Sequence, residues 1–228
     1  MATSQRLPEI VQSLRDKGNT NATINRKISF LRRLMVGALK AGYISWLPQA
    51  GRLGETANLP QVLSREQTSS LFSLLAQRSP DFAKFAEFLL DTGAHVGEAL
   101  RLSWTDITHK RVTFWDTDRK RHRSVALTDR AYEAVRFQND SPQGPFQGIN
   151  LKKFRKALAS AANECGCLPL NVTPLTLRYT CEARLVEAGI DMLTIQKWFG
   201  HRTPRTALRH EASMSLEDAL DILERPKS

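Results

Sequence analysis

The stretch TPLTLRYTCEARLVEAGIDMLTIQKWFGHRTPRTALRHEA, residues 173–212, decides the fold. Its apolar residues recur at helical spacing, with helical patterns over 174–188, 191–199 and 203–212. Arg178, His201, Arg209 and His210 stand along this run of helices in that order. A run of short helices, punctuated by polar residues that are basic or histidine, is therefore the part of the chain to explain.

Working outward, helical patterns cover 6–17, 22–42, the region from Ser64 to about 102, 128–138 and 149–165, and resume after the quoted stretch at 215–224. In 22–42 the apolar face is Ile24, Ile28, Leu31, Met35 and Ala38; Thr20 or Asn21 is suited to cap the start and Gly42 the end. Ser64 followed by Gln67 is a capping box opening the next helix. One region departs from helix: DITHKRVTFWDTDRKRHRSVALT holds two short β-rich runs, VTFW and SVAL, read as a small antiparallel sheet of about three strands. The segment WLPQAGRLGETANLP (46–60) has two prolines and two glycines without helical period, and 141–148 is a second loop of the same composition. The expected architecture is mainly α with a small antiparallel sheet (α+β): a helical domain over 1–45, a linker over 46–60 and a larger domain over 61–228.

The formal net charge is +10, which favours a polyanionic partner. The excess is concentrated: residues 1–60 carry nine Lys/Arg against three Asp/Glu, the remainder 24 against 20. Arg26, Arg33 and Lys40, seven apart, align along one stripe of the second helix, with Lys27 and Arg32 beside them and no acidic residue between 17 and 54. No apolar run approaches the ~20 residues that span a bilayer, and the N-terminus lacks a secretory pattern, so no membrane partner and a cytoplasmic location are expected. Cys165, Cys167 and Cys181 fit no zinc spacing and are expected to be reduced small apolar residues. Trp104, Trp115 and Trp198 are read as core.

Three segments in order, LLDTGAHVGEALRLSWTDI (89–107), DTDRKRHRSVALT (116–128) and the quoted 173–212, resemble the catalytic domain of tyrosine recombinases, the phage integrase family, and 1–45 resembles a short form of that family's helical core-binding domain. The resemblance implies a chemistry in which a tyrosine attacks a DNA phosphate. Two arginines clamp the nonbridging oxygens, because a guanidinium fork matches two oxygens and keeps its charge. A hairpin lysine protonates the leaving oxygen, two histidine-type positions assist, and neither metal nor other cofactor is called for.

Carried over position by position, Arg178 stands at the second arginine and His201 at the second histidine. Elsewhere the chain departs: His95 occupies the first arginine's place, although Thr92, Gly93 and Glu98 match. Asp118 falls at the lysine, with Lys120 two residues on as a substitute in a hairpin whose register is loose. Leu175 stands at the first histidine and His210 at the nucleophile. The three tyrosines, Tyr43, Tyr132 and Tyr179, all precede the segment where the nucleophile belongs.

What the resemblance leaves is binding equipment for double-stranded DNA: Arg26, Lys27, Arg32, Arg33 and Lys40 on the second helix; Arg119, Lys120, Arg121, His122 and Arg123 on the hairpin; Lys152, Lys153, Arg155 and Lys156 opening a helix; and Arg202, Arg205 and Arg209 near the former catalytic position. The expected function is a DNA binder that regulates, assists or competes with an active recombinase. The alternatives are a recombinase using an unconventional nucleophile, such as His210 through a phosphohistidine, and a protein-interaction module that has left DNA. The helix at 215–224 is amphipathic and suits either packing in cis or association with a second copy or an active recombinase.

Overall fold

The structure is a computed structural model that describes residues 2–49, 51–55, 61–116, 121–137, 142–167 and 171–200. It divides into two compact units, Met1–Leu59 and Pro60–Ser228.

In the first unit, α1 (Ala2–Asp16) packs on α2 (Asn21–Lys40). Thr20 is the N-cap of α2, its hydroxyl accepting from the Thr23 amide, which satisfies a donor the first helical turn leaves over. Of the expected apolar face, Ile24 is fully buried, and Ile28, Leu31, Met35 and Ala38 are half-buried. The basic residues Arg26, Lys27, Arg32, Arg33 and Lys40 are exposed. Phe30 and Leu34, which the helical stripe does not include, are exposed as well. Part of the expected linker is not loose: residues 51–55 lie along α2, where Asn25 exchanges two hydrogen bonds with the backbone of Leu53.

The second unit opens with α3 (Arg65–Arg78), capped by the Ser64–Gln67 box as expected. It continues through α4 (Pro80–Thr92) and α5 (Val96–Ala99) to a short 3-10 turn and a three-stranded antiparallel sheet: β1 (Ile107–Thr108), β2 (Arg111–Asp116) and β3 (Arg121–Ala126), in the order β1-β2-β3. Four helices complete the described part: α6 (Asp129–Phe137), α7 (Leu151–Glu164), α8 (Pro174–Glu187) and α9 (Met192–Phe199).

Helix α4 is the centre of this unit. Ala83, Phe85, Ala86, Phe88, Leu89 and Leu90 are all buried, so it is covered nearly all round, by α3, α6 and α8 among others. Phe85 and Phe88 pack on Phe146, with ring centroids 5.0 and 4.7 Å away, and Phe85 also meets Phe154 edge-on at 4.9 Å. This aromatic cluster fixes α7 and the 142–150 loop onto α4. Removing one such ring typically costs ~3–5 kcal/mol.

The sheet's register pairs Val112 with Val125, Phe114 with Arg123 and Trp115 with His122. Because side chains alternate across a strand, Val112 and Phe114 go to the core and Trp115 goes the other way. Trp115 is 53% exposed, against the expectation of a core residue; it packs on His122 and donates its indole N–H to Asp106 at 2.9 Å. Trp198 is fully buried and Trp104 partly so. The expectation of reduced cysteines also fails at one pair. Gly166, with φ +70°, turns the chain so that Cys165 and Cys167 come within 5.6 Å at Cα and are joined as a disulfide, while Cys181 is free and buried. No helix among the described residues is long and apolar enough to cross a membrane.

Candidate functional site

The corner after α4 shows why the segment around Thr92 and Gly93 has its composition. Thr92 is buried and closes on the Phe88 carbonyl at 2.7 Å, while its own carbonyl accepts from the Trp198 indole at 3.0 Å. Gly93 ends the helix in the left-handed region, φ +61°, where glycine carries no steric penalty. A side chain here would also collide: a Cβ on Gly93 would lie 2.3 Å from the Phe199 ring. The glycine thus brings α4 and α9 into contact and leaves its carbonyl facing α8.

Arg178, on the first turns of α8, fills that junction. Only 5% of it is exposed. Its guanidinium donates to the Gly93 carbonyl and, at 3.1 Å, to the Phe199 carbonyl, and stacks over the Phe199 ring with 4.6 Å to the centroid. The side chain therefore ties α4, α8 and α9 together. Burial lowers its pKa to about 10, with nearby Arg123 pushing the same way and Glu98 opposing. At neutral pH it remains a cation in a poorly solvated position.

Arg123 is the second strut. The hairpin reading placed it at an exposed basic tip, but the register sets it on the core side of β3 with its side chain 9% exposed. It donates to Glu98 at 2.9 Å and to the Trp198 carbonyl at 3.0 Å, and lies over the Phe114 ring. Burial lowers its pKa too, while Glu98 partly restores it. Glu98 also accepts from the backbone N–H of His95, at 2.9 Å, which starts α5. One carboxylate thus orders both the His95 turn and the hairpin base. Gly200 completes the corner: it caps α9 with φ +67°, and a Cβ there would sit 3.1 Å from Arg123 Cδ.

These elements border a cleft of about 480 Å³. Its walls include His95, Leu175 and Arg178, three of the positions singled out from the sequence, with Arg155 of α7 on the rim. Leu175 is 46% exposed, so this part of the cleft's lip is apolar. Lys152, Lys153, Arg155 and Lys156 are exposed on α7, opposite its buried Phe154–Leu158–Ala161 stripe. Of the two cationic residues lining the cleft, Arg155 is exposed, while Arg178 is turned onto the Gly93 and Phe199 carbonyls. Among the described residues no group of three or more His, Cys, Asp and Glu is placed to hold a metal ion.

Several expected positions lie outside the described residues: Asp118, Arg119 and Lys120 at the hairpin turn, and His201, Arg202, Arg205, Arg209, His210 and the 215–224 helix. Arg121 is described only as the β3 residue paired with Asp116. The sequence reading missed Glu98's double role and the struts made by Arg123 and Phe199. It also missed Arg52, which shares a groove with Arg26, Arg32 and Arg33 in the first unit. A signal for the first existed, since Glu98 stands three residues after His95, the spacing at which a glutamate reaches back to a helix start. None existed for Arg52, which stands in a proline- and glycine-rich stretch.

Residues 61–215 match the phage integrase family. The integrase of Escherichia phage P2 is 26% identical over 226 residues, covering 96% of this chain and 64% of that protein. Tyrosine recombinase XerC of Corynebacterium glutamicum is 25% identical, over 84% of this chain and 68% of its own length. The chain thus spans somewhat under two thirds of P2 integrase, and 47% of the integrase of Escherichia phage 186. Among solved structures, the Tn1549 transposon integrase in complex with circular-intermediate DNA superposes with a TM-score of 0.73 at 18% identity, over 97% of this chain and 85% of that one. A lambda integrase dimer bound to a COC′ core site gives 0.70 at 17% identity, over 88% and 79%. With the Gly93–Arg178 corner, the hairpin against it and this match over most of its length, the chain belongs to the phage integrase family of tyrosine recombinases.

Proposed function

We propose that this protein binds double-stranded DNA through the integrase scaffold and does not cleave or rejoin it, serving as a regulatory, accessory or competing binder beside an active recombinase. The observation that carries the reading is His210 at the nucleophile's position, with no tyrosine among residues 180–228. Without an attacking hydroxyl the covalent route is closed. The other substitutions point the same way. His95 lacks the bidentate fork of an arginine, and a missing clamp donor costs about 3–4 kcal/mol of transition-state stabilisation. Leu175 neither donates nor accepts a proton.

Binding survives these substitutions on physical grounds. Arg178, buried, and Arg123, largely so, are struts of the fold, so the positive corner is maintained by folding itself. The exposed basic faces of α2 and α7 supply phosphate contacts on each unit. The DNA bound by the Tn1549 and lambda integrases supports the same assignment here. In this reading 1–45 is a core-binding-type domain, Arg202, Arg205 and Arg209 extend the basic cleft, and the 215–224 helix is the contact to another recombinase protomer.

The test is a suicide substrate nicked beside a bound site. The expected result is retention of the duplex, weakening steeply with salt, and no covalent protein–DNA adduct. An adduct that disappears in His210→Ala would establish the unconventional-nucleophile alternative instead. Absence of salt-dependent duplex binding would favour a protein-interaction module.

A further inference from the structure

The stretch 51–55 has the composition of a free linker and the bonding of a built part. Asn25, 9% exposed on α2, donates to the Leu53 carbonyl at 2.9 Å and accepts from the Leu53 amide at 3.0 Å, the bidentate pattern of a strand pair. One turn earlier, Asn21 donates to the Gly54 carbonyl at 2.7 Å. Two asparagines four residues apart thus hold a short strap along α2. The strap ends on Glu55, whose carboxylate accepts from Asn25 at 2.6 Å and from Arg52 at 3.1 and 3.3 Å.

Arg52 is thereby delivered to a groove of about 510 Å³ that Arg26, Arg32 and Arg33 also line. Four arginines line it, and Glu55 is the acidic residue among the lining. Among the described residues Arg26, Arg32 and Arg33 form no ion pair, whereas Arg52 is paired with Glu55 and 79% exposed. Glu55 itself is held below the usual carboxylate range, first by its Asn25 bond, then by Arg52. A groove lined by four arginines, permanently charged at neutral pH, and one carboxylate is chemically suited to exchange that anion for another.

We propose that the 51–55 strap is a phosphate clasp: it sets Arg52 beside Arg26, Arg32 and Arg33 as a seat for the DNA phosphodiester backbone, and Glu55 is the built-in counter-ion that a phosphate displaces. This rests on the DNA-binding reading above and deepens it. It makes Glu55 a brake on affinity. The Arg52–Glu55 pair is exposed, so breaking it costs little, and a phosphate oxygen replaces the carboxylate on the same fork.

Binding of the 228-residue chain to a random-sequence duplex about three helical turns long is measured against salt. Glu55→Gln keeps the acceptor oxygen for Asn25 and deletes the charge. It is expected to bind several-fold tighter than wild type at low salt, the gain fading as salt rises. Arg52→Ala is expected to bind several-fold more weakly, with the log–log salt slope shallower by about one. Asn25→Ala, with folding checked by circular dichroism, should reproduce most of the Arg52→Ala weakening, and adding Arg52→Ala to it should cost little more, because the strap then no longer delivers the arginine. Both Arg52 and Glu55 are solvent-facing at the strap, so neither substitution endangers the fold. Salt-dependent binding by wild type with Glu55→Gln and Arg52→Ala indistinguishable from it would overturn the clasp and leave the DNA-binding reading standing. No salt-dependent binding by wild type would overturn both.

Discussion

Two sets of arginines in this chain have opposite surroundings. In the second unit, Arg178 is buried, Arg123 is largely so, and both are occupied: they donate to the carbonyls of Gly93, Trp198 and Phe199 and to Glu98, and each covers an aromatic ring. In the first unit, Arg26, Arg32 and Arg33 are exposed, form no ion pair among the described residues, and line an open groove. Residue type is the same and the physics is not. A buried guanidinium bonded to backbone carbonyls is part of the fold, and removing it strands acceptors that water cannot reach. An exposed guanidinium on a helix face contributes almost nothing to stability and remains available for an anion. In the proposed reading Arg178 stands where the family's chemistry uses an arginine; here its bonds to carbonyls give it a structural role that does not depend on catalysis.

Unfolding experiments on the second unit put the greatest strain on this contrast. Arg178→Ala should lower stability by about 3 kcal/mol, since it leaves the Gly93 and Phe199 carbonyls without their donor in a dry junction. Chemical denaturation reads this as a fall in midpoint with little change in slope. Gly93→Ala should cost about 2 kcal/mol, combining a left-handed backbone with a Cβ that the Phe199 ring must vacate. Near-wild-type stability of either variant would show that the corner is not the strut described.

The double substitution Arg26→Ala with Arg33→Ala sharpens the other half. Stability should stay within about 0.5 kcal/mol of wild type, while the salt dependence of duplex binding becomes shallower by about two, one for each phosphate that is no longer neutralised. A large fall in stability with unchanged binding would reverse the assignment of the two arginine sets.

Much of this was legible in the sequence because local rules agreed with the tertiary result. The apolar period of α2, the Ser64–Gln67 capping box, and the short sheet between two helical regions all follow from patterns that burial reinforces. Position in a strand was harder. Residue type alone predicts Trp115 inward and Arg123 outward, and the pleat reverses both. A one-residue change of register would exchange their faces, and composition carries no information about register. The strap was invisible for another reason: its hydrogen bonds run from asparagine side chains to backbone some 28 to 33 residues away, and proline with glycine there signals only the absence of helix. At the cleft, His95, Leu175 and Arg178 line one wall, but Arg178's bonds to carbonyls depend on the Gly93 turn and could not be read from spacing.

The smallest expected effect is also the most informative one. In the proposed reading His210→Tyr places a tyrosine at the family's nucleophile position, yet recombination on a synaptic substrate should remain undetectable. A tyrosine needs its phosphate polarised and its leaving oxygen protonated. His95 supplies one charge-dependent contact where a guanidinium supplies two, and Leu175, 46% exposed on the cleft wall, offers neither proton nor bond. Each deficit of this kind is worth about 3–4 kcal/mol, and two together exceed a ten-thousandfold reduction in rate. Adding His95→Arg to His210→Tyr should therefore give the first detectable covalent adduct, because Glu98 already holds the His95 turn in place through its backbone N–H. Robust recombination from His210→Tyr alone would mean that the cleft kept its full catalytic competence, and that nothing but the hydroxyl was ever missing.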